Sequence, residues 1–334
     1  MRVVILHNAV AADASPDDQD TLTQAAAVAT ALKRLGHEAA MFSCTLDLEK
    51  MLAELVRLKP DVVFNLVESL GGSDLLGCLP AAVLEVFQIR YTGAPAEVLF
   101  ITTHKLLAKQ RLRACGLPTP DWVEYDKSGK LVPQGPSLEN VFSRKESWII
   151  KGVWSHGSRG LEDDAVLREA TGEHLRAALQ RRTSAEAGPC YAERYIEGRE
   201  FVVGLLAGPQ GPETLPPAEI EFRGFPPEKP RIVGYRAKWE EECFECRHTI
   251  RRFSFPLADR PLLDCLTHLT QKCWEAFGLR GWCRVDFRVD DSGRPWILEV
   301  NANPCISPDA GFAAMLKEAA IPYKEAIRRI LEDT

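Results

Sequence analysis

The sequence predicts an α/β chain with a parallel, doubly wound sheet in its first 95 residues and an α+β organisation in its C-terminal half. Three observations predict it. Short β-branched apolar runs alternate with stretches of helical periodicity from Arg2 to Phe87. Gly116-Leu-Pro-Thr-Pro120 then interrupts the pattern, because two prolines so close together exclude regular helix and favour an extended connection. Finally, Gly281 to Asp309 alternates its side chains on both sides of an Asp-Ser-Gly turn, as a β-hairpin does.

The composition bounds what such a chain does. At 334 residues it is long for one core, and about 150 residues per domain gives two or three domains. Apolar residues make up 46% and charged residues 26%, as in an ordinary soluble protein. A net charge of −6 argues against a general nucleic-acid or membrane-surface partner. MRVVILHNA is too short for a signal peptide, and no apolar run reaches the eighteen or so residues of a membrane span. A cytoplasmic location with ten reduced cysteines is therefore expected. Cys243 and Cys246 form the only CxxC, which lacks the second ligand pair of a zinc site.

In chain order, MRVVILHN reads as a buried strand opening onto a polar loop. Asp20 or Thr21 could cap the helix that follows, whose apolar residues Leu22 to Leu35 keep helical spacing until Gly36. HEAAMFS is a second strand, 47–58 a helix, Asp61 to Val67 a third strand, and 75–87 another helix. No GxGxxG follows the first strand, so a dinucleotide-binding oxidoreductase loses its main support. Ligands of such sheets still bind at the carboxyl ends of strands, which singles out the loops beginning at His7, Asp17 and Glu68.

Residues 96–115 are helical in pattern and contain Lys105. Beyond the proline break come a strand (DWVEY), a turn, a short helix and the strand SWIIKGV, which carries Lys151. SHGSRG, residues 155–160, can bring backbone N–H groups close to phosphate, with Ser158 adding a hydroxyl, although it is not a Walker A loop. An amphipathic helix over 171–183 precedes two strands, around Glu193 and Glu200. A strand in LPPAEIEF and a charged, ordered but mobile loop containing Tyr235 and Lys238 follow. A helix over 261–277, the hairpin, and helices near 310–319 and 323–332 complete the chain.

In the hairpin, Arg284, Asp286 and Arg288 share one face of the first strand, while Ile297, Glu299 and Asn301 share one face of the second. If the strands pair, Asp286, Glu299 and Asn301 converge as a hard oxygen set. Such a set suits Mg²⁺, which takes its remaining ligands from water and nucleotide phosphates. The plain alternative is a solvated hairpin face.

The order Lys105, Lys151, a Gly/Ser loop, Glu193-Arg-Tyr-Ile196, Glu200, Tyr235-Arg-Ala-Lys238, Arg284-Val-Asp286 and Glu299-Val-Asn301-Ala-Asn-Pro resembles the ATP-grasp superfamily. Within it, the chain is similar to the D-alanine:D-alanine ligases over essentially its whole length. The resemblance implies three domains, over 1–95, 96–188 and 189–334, with the nucleotide between the second and third. It implies an ATP-dependent ligase joining a carboxylate to an amine through an acyl phosphate. Lys105 and Lys151 would bind phosphates under the loop containing Ser158. Glu193 and the Ile196 backbone would hold adenine, Glu200 the ribose, and Lys238 the terminal phosphate. Asp286, Glu299 and Asn301 would carry two Mg²⁺ ions, with Mn²⁺ as an alternative, and Arg284 would stabilise the acyl-transfer oxyanion. A homodimer is likewise implied.

Departures from the family concern the substrate. Cys305 stands where the ligases have a glycine and Ala310 where they have a carboxylate-binding serine, in a loop that also offers Ser307 and Asp309. Phe64-Asn-Leu-Val-Glu68 lacks the family's His-Gly pair. Asp17 stands where a glutamate holds the first substrate's amine, and Trp239 is either an aromatic partner or core filling. Glu68 and Asp309 make the expected pocket more anionic, which points to an amino acid or amine larger or more cationic than D-alanine. A nucleotide-binding protein without turnover and an ATP-grasp kinase are the competing readings. The retained metal triad and lysines disfavour the first, and the dipeptide-ligase pattern the second.

Overall fold

The computed structural model describes residues 1–11, 13–135, 142, 145–185 and 188–334, among which three sheets form in succession along the chain. The first comes from β1 (Arg2–Asn8), α1 (Pro16–Arg34), β2 (Glu38–Cys44), α2 (Leu48–Leu58), β3 (Val62–Asn65) and α3 (Leu79–Val86). Its order is β2-β1-β3 and all neighbours are parallel. Val3 and Ile5 pack against α1, while Val4 and Leu6 pack against α2 and α3. Burial on both faces is why β1 reads as a continuous apolar run.

α1 starts one turn earlier than the Asp20 or Thr21 cap expected from sequence. Ser15 occupies the cap position and Pro16 the first turn, with Asp17 and Asp18 beside it. Proline's fixed φ suits that position, and the two acids complement the helix N-terminus. Residues 96–115 also form two helices rather than one, α4 (Ala96–Thr103) and α5 (Lys105–Ala114). His104 between them is extended, and its Nδ1 accepts from the Leu107 N–H at 3.2 Å as a cap. The break aims Lys105, the first residue of α5, at the C-terminal sheet.

The second sheet contains β4 (Trp122–Tyr125), β5 (Leu131–Gln134), β6 (Glu146–Gly152), β7 (Val166–Ala170) and β8 (Cys190–Arg194), with α6 (Gly172–Ala185) packed on it. Its order, β5-β4-β8-β6-β7, is antiparallel throughout. β8 pairs with β4 and β6, so this sheet runs past the 188/189 division to Arg194. β5 and β7 carry too few alternating residues to be read from sequence, and the short helix expected before β6 lies outside the described residues.

The third sheet is built from β9 (Arg199–Leu206), β10 (Glu213–Thr214) and β11 (Ala218–Phe222). α7 (Tyr235–Trp239) and α8 (Phe244–His248) lead to β12 (Thr249–Arg252), and α9 (Arg260–Phe277) leads to β13 (Trp282–Val289) and β14 (Pro295–Ala302). α10 (Gly311–Glu318) and α11 (Tyr323–Glu332) close the chain, and both pack into the same core as α1. The sheet order is β12-β11-β9-β13-β14, with β10 on β9. No helix of the described residues is long and apolar enough to cross a membrane.

The hairpin β13–β14 departs from simple alternation. Asp286 faces Glu299 and Arg284 faces Asn301, but the register shifts after Asp286, so that Phe287 faces Ile297 and Leu298 is the extra residue. This bulge reverses the phase of β14. Ile297 therefore lies in the core, fully buried with Phe287, and does not share a face with Glu299 and Asn301 as a strict period of two requires. The loop after β14 meets the end of the first unit at Gly93, whose φ is +87°. A Cβ there would lie 2.5 Å from the Asn303 amide, which accepts from the Ala94 N–H at 2.9 Å.

Candidate active site

All three sheets contribute to one cavity of about 630 Å³. The end of β1, the loop after β3, the first turns of α1, the loop 155–160, the faces of β6, β8 and β9, α7 and the hairpin line it. Of the residues singled out from sequence, Asp17, Glu68, Lys105, Lys151, Ser158, Glu193, Ile196, Glu200, Lys238, Arg284, Asp286, Glu299, Asn301 and Asp309 all reach its wall. Ser307 does not: it is 1% exposed, and its hydroxyl donates to Asp20 Oδ1 at 2.7 Å. His7 is buried as well, with Nδ1 against the Asn8 carbonyl oxygen at 2.8 Å.

At the end formed by the two antiparallel sheets, charges are matched and largely buried. Lys151 Nζ donates to Glu193 Oε1 at 2.6 Å, and Lys109 Nζ to Oε2 at 2.6 Å. Burial opposes the charge on Glu193, but the two lysines outweigh it and hold the carboxyl below its usual range. Arg288 pairs with Glu200 at 2.8 Å and donates to the Gly198 carbonyl at 3.1 Å. Burial raises Glu200 even so. Ile149, Ile196, Ile232 and Leu298 supply apolar wall between these polar groups. Leu298 faces the cavity because of the bulge.

In the middle, Arg284 makes a bidentate pair with Asp286, at 2.6 and 2.8 Å, and Asn301 Nδ2 donates to the same carboxylate at 3.2 Å. Lys105 Nζ bonds Glu299 Oε1. Burial disfavours the Glu299 charge, but the Lys105 ammonium beside it outweighs this and holds the carboxyl well below its usual range. Lys238 reaches the cavity from α7. Burial and the nearby Arg284 charge lower its pKa, while Asp286, Glu299 and Glu200 act the other way.

The end facing the first sheet carries an excess of acids. Asp17, Asp18, Asp20, Glu68 and Asp74 line it, and Arg159 serves three of them. Arg159 donates to Asp17 at 2.6 Å and Asp18 at 2.9 Å, and lies 3.7 Å from Asp74. Asp17 also accepts from the Tyr235 hydroxyl at 3.0 Å. Although burial works against its charge, hydrogen bonds from Ser15, Arg159 and Tyr235 hold Asp17 below its usual range. Glu68 goes the other way: burial, reinforced by Asp20 and Asp74, outweighs a hydrogen bond from Gln24 and the Arg159 charge and pushes it up to about 7. Cys305 donates its thiol to Asp20 at 2.9 Å.

These contacts also bind two loops over the cavity. Asp74 accepts from the His156 N–H at 2.9 Å, and the Ser158 hydroxyl donates to the Val233 carbonyl at 2.8 Å. Trp239 Nε1 donates to the Gly157 carbonyl at 3.2 Å, so this tryptophan ties loop to loop instead of filling a core. The CxxC has a local role: the Cys243 thiol accepts from the Cys246 N–H at 3.3 Å and caps α8.

Sequence reasoning missed Lys109, Arg159 and His156, read Asp20 only as a helix cap, and placed Arg288 on the face of Arg284 and Asp286 without a role. Lys109 follows Lys105 by one helical turn, and Asp20 follows Asp17 by three residues in α1, so helical spacing from residues already singled out was the available signal. For Arg159 there was only its position inside SHGSRG.

Comparison with known proteins agrees with this geometry. Residues 112–332 match the family model for the D-ala D-ala ligase C-terminus. The D-alanine–D-alanine ligase of Aquifex aeolicus is 29% identical over 332 residues, covering 99% of this chain and all of the relative. That of Thermotoga maritima is 30% identical over 334 residues, covering 99% and 97%. Among solved structures, the D-alanine–D-alanine ligase of Bacillus anthracis complexed with ATP superposes with a TM-score of 0.74 at 20% identity, over 100% of this chain and 97% of that one. The enzyme from Coxiella burnetii gives 0.69 at 17%, over 99% and 93%. The fold is thus that of the ATP-grasp ligases, and the chain belongs to the D-alanine–D-alanine ligase family of ATP-dependent carboxylate–amine ligases.

Proposed function

We propose that this ligase activates an amino-acid carboxylate as an acyl phosphate and transfers the acyl group to an amine larger or more cationic than D-alanine. A carboxylate oxygen attacks the terminal phosphorus of ATP and ADP leaves. The amine then attacks the acyl carbon, phosphate leaves, and the nitrogen gives up its proton. Lys105, Lys151 and Lys238 bind the phosphates, Glu193 and the Ile196 backbone the adenine, and Glu200 the ribose. Arg284 faces the oxyanion, where a fixed cation commonly lowers a barrier by about 3 kcal/mol. The loop carrying Ser158 excludes water from the intermediate.

The observation that carries this reading is the convergence of three lysines, Arg284 and the Asp286–Glu299–Asn301 set on one cavity. That set is chemically suited to Mg²⁺: two carboxylates face each other across a register pair, with an amide oxygen beside them. Mg²⁺ bound there would offset the charge of the triphosphate. The acid excess around Glu68 supports the cationic amine, because a positive group is what would neutralise it. Asp17 is already engaged by Arg159 and Tyr235, which leaves Glu68 and Asp309 to receive that group.

ADP release against a panel of amino acids and diamines, with products identified by mass spectrometry, tests the proposal. Turnover that appears only with a cationic amine is the expected result, and strong activity on D-alanine alone defeats it. We infer further that the enzyme works in the cytoplasm as a homodimer, which fractionation and sedimentation would check.

A further inference from the structure

One buried cation has no part in the chemistry described so far. The Lys109 side chain is 1% exposed. Its ammonium donates to Glu193 Oε2 at 2.6 Å and to Thr119 Oγ1 at 2.8 Å, and lies 5.2 Å from the Trp122 ring centroid. Glu193, equally buried, gives its other oxygen to Lys151. One carboxylate is therefore clamped between two ammonium groups that are not equivalent. Lys151 lines the cavity, its side chain 15% exposed, whereas Lys109 sits behind Glu193, away from the cavity wall.

Two cations are more than one buried carboxylate needs. Removing an ammonium from water is costly, and burial lowers Lys109 to about 8 even with Glu193 beside it. The second cation has a purpose if Lys151 is to be exchanged. A polyanionic phosphate chain in the cavity draws Lys151 away from Glu193, and Oε1 is then exposed as an acceptor. Without another cation behind it, burial would protonate the carboxyl at that moment.

We propose that Lys109 is a positioning residue for the nucleotide base. It keeps Glu193 ionised and holds Oε2, so that Lys151 can pass to the phosphates and Oε1 is left to accept from an exocyclic amino group. This rests on the nucleotide reading above and adds to it a residue and an exchange of partners. An ionised carboxylate only accepts hydrogen bonds, so it favours the amino group of adenine over the carbonyl oxygen that hypoxanthine presents at the same ring position. A protonated carboxyl can donate to that carbonyl. Lys109 thus sets base discrimination without touching the base.

The test measures Kd for ADP and for inosine diphosphate by calorimetry on the whole chain, with no acid or amine present. The wild-type protein is expected to prefer ADP by on the order of 10²-fold, as for a site left with an unpaired charged group by the wrong ligand. Lys109→Met should bring the ratio to within about threefold of unity, because the neutral carboxyl serves both bases. General loosening of the site would weaken both ligands and leave the ratio unchanged. Thr119→Val, which leaves the buried Lys109 ammonium short of one acceptor and so disfavours its charged form, should reduce the ratio about threefold and decides the matter if Lys109→Met does not fold. A wild-type protein without preference, or a folded variant that keeps the full wild-type ratio, overturns the proposal. The measurement involves no turnover, so failure to find a ligation product would count against the ligase reading and not against this one.

Discussion

The two ends of the cavity follow opposite rules. At the end formed by the two antiparallel sheets, Glu193 and Glu200 sit on strands, and each has its own cation in Lys109, Lys151 or Arg288. At the other end, five carboxylates from α1 and the loops after β3 crowd together, and Arg159 pairs with three of them, Asp17, Asp18 and Asp74. Regular strands fix side chains to within the tolerance a reaction needs, whereas loops can change without disturbing the sheets. With the function proposed above, the difference assigns the reaction to the matched end and substrate choice to the unbalanced one.

The largest expected effect breaks the centre that both ends share. Arg284→Met should lower kcat by on the order of 10²–10³-fold with little change in the KM for ATP, because its contact is made in the transition state. A loss smaller than tenfold in ADP release would remove Arg284 from the chemistry. Next, Arg159→Met should unfasten the loop 155–160 from the acid-rich end. ADP formed in the absence of amine should then rise on the order of tenfold, as water gains access to the intermediate. An unchanged ratio of ADP to ligated product would show that the loop closes without this latch.

Glu68→Gln sharpens the comparison through pH. The folded carboxyl is raised from 4.5 to about 7, so its neutral form favours the fold, and that contribution is present below pH 4.5 and lost as pH rises through 7. Glutamine imitates the neutral form. The variant should melt a few degrees above the wild type at pH 8, and the two should converge toward pH 5. A cationic amine should bind the wild type more tightly as pH rises through 7, and the variant should show no such trend; parallel binding curves would discard the ammonium subsite. The smallest effect belongs to Ser307→Ala, which removes one hydrogen bond to Asp20 at a cost of about 1 kcal/mol by denaturant titration. A loss of ligation without loss of stability would return Ser307 to the substrate.

Much was legible in the sequence because it depends on local order. Alternation places Asp286 on the polar face of β13, and the hydrophobic runs of β1 and β3 announce a sheet buried on both sides. The order of the lysines and acids along the chain identified the family, and with it most of the cavity wall. The Leu298 bulge was not legible, since a single extra residue in a strand leaves no mark in a periodic pattern. Nor was the His104 break, where helix-forming residues continue on both sides.

The sequence by itself determined the parallel sheet of the first unit, the hairpin and most of the longer helices, and it singled out most of the charged residues that line the cavity, because these follow from periodicity and residue chemistry. Only the tertiary structure decided how those charges are paired. That Glu193 has two lysines, that Asp17 is taken by Arg159 and Tyr235, and that Ser307 serves Asp20 rather than the cavity all depend on contacts between residues distant in sequence. Coulomb energy depends on distance in space and on the surrounding dielectric, and neither is set by position along the chain.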